Sequence, residues 1–185
     1  MLTVQRQLFD AHSSACRYKW LDGGCYSNVW EHPDGHSVIK QGGSDDGTLA
    51  YLYWCYEYQQ ACGKPMQGMP EVYSLAFDEG RGYVCTMKRY SDLDDSWFIA
   101  QGIRSYQREC LLPYMAELIS KWAEASDDVF GYEMINDLHS GNFMMDGDTL
   151  IMLDPSGHGG FSRSQLSGLK RHLCEGPEHF ALTLN

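Results

Sequence analysis

The stretch from Cys25 to Lys40 limits the possible folds more than any other part of the chain. Two short runs, 26–30 with Tyr26, Val29 and Trp30 and 37–40 with Val38 and Ile39, flank Pro33-Asp34-Gly35. Proline presets a turn backbone, aspartate bonds nearby backbone groups, and glycine takes conformations other residues avoid. The pattern therefore predicts two strands joined by a turn. Gly42-Gly43 then breaks the chain. A second pair of strand-like runs, 71–77 and 83–87, brackets the turn sequence Asp78-Glu79-Gly80-Arg81-Gly82. Between the pairs the sequence predicts a helix from about residue 46 to 60. Leu49, Leu52, Tyr53 and Tyr56 share one helical face. Asp45 and Asp46 suit its start, where a carboxylate accepts free backbone N–H groups, and Cys62-Gly63-Lys64-Pro65 ends it.

The second half reads differently. Residues 89–95 are polar and suit a connection between two lobes. A short helical piece is expected at 97–102. Leu111, Met115, Leu118, Ile119 and Trp122 mark one face of a longer helix. A loop at 136–142 precedes short strands at 143–145 and 149–153, and one more short helix is expected near 164–173. The fold class expected is α+β in two lobes. Residues 1–88 form an N-lobe with an antiparallel sheet and one helix, and residues 89–185 form a small helical C-lobe.

Composition narrows the classes of partner. The chain has 185 residues, 43% of them hydrophobic and 21% charged, which excludes long disorder. Fourteen Lys and Arg stand against 25 Asp and Glu, a formal net charge of −11. A field of that sign repels nucleic-acid backbones, so no direct nucleic-acid partner is expected. A single nucleotide is still possible where a local cation and Mg²⁺ meet it. Seven cysteines, an odd number with no C-x-x-C pair, read as reduced thiols. No apolar run approaches the ~18 residues of a membrane span, and Met1-Leu2-Thr3-Val4-Gln5-Arg6 lacks a signal-peptide stretch. The expected setting is a cytosol, with no membrane partner.

The strongest chemical signal is Asp137-Leu138-His139-Ser140-Gly141-Asn142, followed by Leu150-Ile151-Met152-Leu153-Asp154. An acidic residue, an amide five residues on, and a second acidic residue at the end of an apolar strand are what phosphoryl transfer needs. Asp137 positions the proton of an attacking hydroxyl. Asn142 and Asp154 offer hard oxygen ligands for Mg²⁺, which holds the β- and γ-phosphates of ATP. Upstream, Gly23-Gly24-Cys25-Tyr26-Ser27-Asn28-Val29 suits close approach of backbone to phosphates. Lys40, at the end of the next strand, is placed to reach the α- and β-phosphates. The order glycine loop, strand Lys, helix, two strands, helix, D-x-x-x-x-N and strand-end Asp is that of protein kinases.

Two phrases, GCYSNVWEHPDGHSVIK and DLHSGNFMMDGDTLIMLDP, carry a closer resemblance, with Ala50-Tyr51 and Pro70-Glu71-Val72-Tyr73 between them. Over roughly residues 22–158 the chain resembles the early serine/threonine protein kinases of short-tailed coliphages, the autographivirus group. The resemblance implies a minimal two-lobed protein-kinase-like fold with a truncated C-lobe. It also implies ATP-dependent Ser/Thr phosphorylation of host proteins in the cytoplasm of an infected bacterium. Host RNA polymerase or other nucleic-acid machinery would be among the partners, and host transcription would be shut off. By the same resemblance Lys40 matches the ATP-phosphate lysine and Asp137 the catalytic aspartate. Asn142 and Asp154 match the metal ligands, and Gly24 and Ser27 belong to the phosphate loop. Val29 would pack on adenine, and Cys85 to Lys88, Met87 included, would contact it through backbone groups.

The chain departs from that pattern in several places. Ile135 stands where a His precedes the catalytic Asp, and the metal motif reads Asp154-Pro155-Ser156. Only 31 residues follow Asp154, too few for the usual peptide-docking helices. Glu57, the one Glu on the expected helix, is the candidate partner of Lys40. Asp46 is second, although its place suits capping. Ser156, Ser162, Ser164 and Ser167 are candidate autophosphorylation sites. His139 in D-x-H-x-G-N resembles aminoglycoside phosphotransferases, so a small-molecule phosphotransferase is the alternative activity. A non-catalytic kinase-like protein that occupies a host factor is the third reading.

Overall fold

The computed structural model describes residues 18–23, 26–78, 82–94, 96, 112–135, 137–157, 159 and 162–174. Five strands, β1 (Lys19–Gly23), β2 (Ser27–Glu31), β3 (Ser37–Gly42), β4 (Val72–Asp78) and β5 (Gly82–Lys88), form one antiparallel sheet in the order β1-β2-β3-β5-β4. Helix α1 (Thr48–Cys62) lies between β3 and β4 in the chain. The second half holds α2 (Pro113–Phe130), a two-stranded ribbon of β6 (Phe143–Asp146) and β7 (Thr149–Met152), and α3 (Arg163–Cys174). The architecture is α+β, as expected.

The first hairpin forms for the reason its sequence suggests. The Asp34 carboxylate accepts hydrogen bonds from the N–H groups of His36 and Ser37, each at 2.8 Å, and from the Ser37 hydroxyl at 2.5 Å. These bonds, that of the Ser37 side chain foremost, hold the Asp34 carboxyl well below the usual range. Gly35 takes the left-handed backbone, φ +72°. The resulting register sets Val29 opposite Lys40 and Trp30 opposite Ile39.

Helix α1 starts where Asp46 accepts the Thr48 N–H at 3.0 Å, and ends at Gly63, left-handed at φ +74°. Its expected face is only part of what is buried. Tyr51 and Trp54 are fully buried, as are Leu49 and Leu52, whereas Tyr53 and Tyr56 are half-buried. The physical reason is that α1 packs against both β4 and α3, so no single apolar stripe describes it. Gln59 is buried among these residues with its amide satisfied: Nε2 donates to the Cys55 and Pro70 carbonyls, and Oε1 accepts the Val72 N–H. Tyr51 and Trp54 pack on Trp122 of α2 with ring centroids 5.4 Å apart in each pair. One continuous apolar cluster thus runs from the sheet through α1 into α2, α3 and the ribbon.

On α2 the expected face is observed: Met115, Leu118, Ile119 and Trp122 are all buried. The expected helix at 97–102 and Leu111 lie outside the described residues. Strand β1 was not expected. Ser91 exchanges two backbone bonds of 2.9 Å with Met145, and Lys88 pairs with Asp146 at 2.7 Å. The chain leaving β5 is thereby clipped to β6, which fixes the sheet against the ribbon. Cys55, Cys62 and Cys85 are free thiols. Among the described residues no helix is long and apolar enough to cross a membrane.

Gly82 has φ +89°, and a Cβ there would lie 2.0 Å from the Gly42 carbonyl oxygen. Gly35, equally left-handed, has open space around it. Gly35→Ala should cost about 1–2 kcal/mol from backbone conformation alone. Gly82→Ala adds a backbone clash and should cost clearly more. Urea unfolding of the two variants checks this, and equal losses would show the close approach at Gly82 to be wrong.

Candidate active site

The face of the sheet turned to the second half is built by strand alternation. Val29 pairs with Lys40, Lys40 with Cys85, and Val38 with Met87, so these side chains share one face. Between this face and the 137–142 loop lies a cavity of about 1340 Å³. Val29, Val38 and Met87 give it an apolar floor, Ser27 stands at its mouth, and Lys40, Asp137, Asn142 and Asp154 face it. The expected residues are therefore brought together, apart from those named below. Gly24 lies outside the described residues.

Lys40 and Asp154, 114 residues apart, form an ion pair, Nζ to Oδ2 at 3.1 Å. Their side chains are 12% and 22% exposed. Burial pushes the Asp154 carboxyl above its usual range, and the Lys40 charge opposes that rise. Asp154 Oδ1 is buried and has no hydrogen-bond partner.

The loop carrying Asp137 and Asn142 is laced to the same strand end. Asp137 N–H donates to the Pro155 carbonyl at 3.2 Å, and the Asn142 carbonyl accepts the Leu153 N–H at 2.8 Å. Asn142 Nδ2 donates to the Asp137 carbonyl at 2.7 Å, which leaves its Oδ1 as the acceptor of the side chain. The short 3₁₀ turn Ser140–Asn142 starts at His139, whose Nδ1 accepts the Gly141 N–H at 3.2 Å. That bond puts the proton of neutral His139 on Nε2, which lies 3.5 Å from Asp137 Oδ1. Asp137 itself is 44% exposed, open to an incoming hydroxyl.

The donors suit Mg²⁺. An orphaned carboxylate oxygen of Asp154 and the Asn142 amide oxygen are hard ligands on one wall of the cavity. Among the described residues no group of three or more His, Cys, Asp or Glu is placed to hold a metal. Mg²⁺ asks for no such cage, because it binds through one or two protein ligands with phosphate and water completing its shell.

Three expectations need correction. The first concerns Glu57 as the partner of Lys40. Lys40 instead meets Asp154 and, at 3.4 Å, the Thr48 hydroxyl at the start of α1. Glu57 comes nine residues after Thr48. That is two and a half turns and about 13 Å along the helix, on the opposite side. Asp46 has the capping role. The second concerns adenine contacts through the backbone of Cys85 and Met87. Strand β5 lies inside the sheet, and both residues pair across to β3 and β4, which uses those groups. The cavity is lined by the segment from Met87 to Leu93, whereas Cys85 is fully buried beneath it. Burial pushes the Cys85 thiol up to about 12. The third concerns Ser156 as an autophosphorylation site. It is 2% exposed, and its hydroxyl donates to the Met134 carbonyl at 2.6 Å and accepts from Trp122 Nε1 at 3.2 Å. Ser162, Ser164 and Ser167 are exposed.

No family model matches the chain, and no curated protein sequence matches it. Solved structures similar to it at low identity include the following three. One is PpkA-294 in its apo form, with 15% identity, 83% of this chain covered and a TM-score of 0.41. The second is a choline/ethanolamine kinase family protein from Mesorhizobium loti, with 13% identity, 95% of this chain and 77% of that one covered, and a TM-score of 0.41. The third is the streptomycin-ATP-APH(2")-IIa ternary complex, with 9% identity, 95% and 86% covered, and a TM-score of 0.32. The match spans 61% of the PpkA-294 chain.

Removing one member of a largely buried ion pair strands the other charge. Lys40→Met should cost about 3 kcal/mol, at the low end for such pairs because both side chains keep some exposure. Adding Asp154→Asn in the same chain should recover most of that loss. Urea titration of the single and double variants checks it. A Lys40→Met loss within about 0.5 kcal/mol, the range of ordinary surface changes, would contradict the pair.

Proposed function

We infer that this chain is an ATP-dependent phosphotransferase of protein-kinase-like design that carries the γ-phosphoryl group to a hydroxyl of a protein Ser or Thr. The observation that carries the reading is the convergence of Lys40, Asp137, Asn142 and Asp154 on one cavity. In this reading the 1–88 and 89–185 halves are the two lobes, with the nucleotide between them. Its base lies on Val29, Val38 and Met87. Lys40, the less exposed of the two lysines among the described cavity residues, meets the phosphates. Asn142 and Asp154 hold Mg²⁺, which neutralises phosphate charge when bound. Asp137 orients the acceptor hydroxyl and takes its proton as the new O–P bond forms and ADP departs. Positioning and charge supply the rate, so residues that fix the geometry matter as much as those that touch the proton.

The acceptor follows from the sequence resemblance: host proteins in an infected bacterial cytoplasm, basic surfaces before acidic ones given the net charge of −11. A second reading is favoured by one feature. His139 of D-x-H-x-G-N lies beside Asp137 at the cavity, where a small-molecule phosphotransferase would use it.

Incubation with labelled ATP, Mg²⁺ and bacterial lysate tests the assignment. The wild-type chain should label protein. Asp137→Asn should lower the rate about 100-fold or more while MgATP affinity changes little. Absent labelling, or equal labelling by Asp137→Asn, would overturn the protein-kinase reading. Turnover of an aminoglycoside or choline without protein labelling would establish the second one in its place.

A further inference from the structure

We propose that the buried turn Asp46-Gly47-Thr48 positions Lys40 for the phosphates, in the role the sequence assigned to a mid-helix glutamate. The inference rests on the phosphotransfer reading and names the residues that hold its lysine.

Bonds to three parts of the fold meet in this turn. Thr48 is fully buried, and its Oγ1 lies 3.4 Å from Lys40 Nζ. Asp46, 2% exposed, is fixed from both sides: Oδ1 accepts the Thr48 N–H at 3.0 Å and Oδ2 accepts the Tyr83 hydroxyl at 2.6 Å. Gly47 N–H donates to the Gly157 carbonyl at 2.9 Å, and Gly159 N–H donates to the Asp45 carbonyl at 3.0 Å. The start of α1 is thus tied at once to the sheet, to Lys40, and to the segment that follows Asp154. The fit allows no side chain at Gly47, where a Cβ would lie 2.0 Å from the Gly157 oxygen.

An ammonium has three donors to place. Among the described residues Lys40 places one on Asp154 and one on Thr48. Asp154 is also a metal-ligand candidate, so its hold on Lys40 competes with metal binding. Thr48, whose hydroxyl also bonds the Asp154 carboxylate, carries no charge to give a metal and stays on Lys40. It keeps Lys40 extended along the cavity wall when Asp154 turns to a cation, and Asp46 and Gly47 keep Thr48 in place. This makes Thr48 a positioning residue that acts through Lys40.

Two substitutions separate positioning from packing. Thr48→Val keeps the buried shape and removes the hydroxyl. Thr48→Ser keeps the hydroxyl and removes a buried methyl. Binding of MgATP and of adenosine, which has no phosphates, is measured by calorimetry beside the thermal midpoint. Thr48→Val should weaken MgATP about ten-fold, the effect of one hydrogen bond to a charged group, and leave adenosine binding unchanged. Thr48→Ser should bind MgATP like the wild type while melting lower. Unchanged MgATP affinity in Thr48→Val, or an equal loss for adenosine, would overturn the positioning role and leave the phosphotransfer reading standing. A wild-type chain that does not bind MgATP would overturn both.

Discussion

The Lys40–Asp154 pair is the interaction on which the rest of the site depends. It joins a residue within β3 to one just past the end of β7, and both groups are mostly withdrawn from water. Such a pair is a poor source of stability, because desolvating two charges costs about what their attraction returns. Its value is geometric. It brings a cation and a carboxylate to one wall of a cavity whose floor is apolar, and leaves one carboxylate oxygen without a partner. A buried polar atom in that state calls for an explanation, and under the proposed function a metal ion bound with a nucleotide would supply one.

The pair holds its place because the fold around it is tied at several points. Helix α1 is enclosed by β4 and α3, and its aromatic residues meet Trp122 of α2 in the centre of the apolar cluster. Its first turn is bonded to the sheet through Tyr83 and to the segment after Asp154 through Gly157. Trp122 and Ser156 both reach the Met134 carbonyl, which braces that same segment from below. The acidic character of the chain then has a local meaning. Asp46 and Asp154 lie near Lys40, while the other two cations that line the cavity, Lys88 and Arg89, are already paired with Asp146 and Glu31.

Much of this was legible in the sequence where the cause is local. Pro33-Asp34-Gly35 makes a hairpin by its own turn chemistry, and Met115, Leu118, Ile119 and Trp122 face inward because an exposed helix must turn one stripe to the core. The convergence of Lys40, Asp137, Asn142 and Asp154 was readable from their order. What was misread depends on contacts between distant segments. That β5 lies between β3 and β4 is not written in β5, so Cys85 and Met87 looked free to offer backbone groups. How far α1 slides along the sheet is not written in α1, so Glu57 looked like the partner of Lys40. Strand β1 has an exposed, non-alternating pattern and gave no period to detect. Ser156 looked like part of a polar tail because its partners, Trp122 and Met134, lie more than twenty residues away in the chain.

The central claim is that Lys40 on one side and Asn142 with Asp154 on the other enclose a magnesium nucleotide. A crystal structure with Mg²⁺ and a non-hydrolysable ATP analogue tests it most directly. Asp154 Oδ1 and the Asn142 amide oxygen should lie about 2.1 Å from the ion, with Lys40 on the phosphates and still beside Thr48. A nucleotide bound elsewhere, or an intact Lys40–Asp154 pair with neither oxygen on the metal, would contradict it.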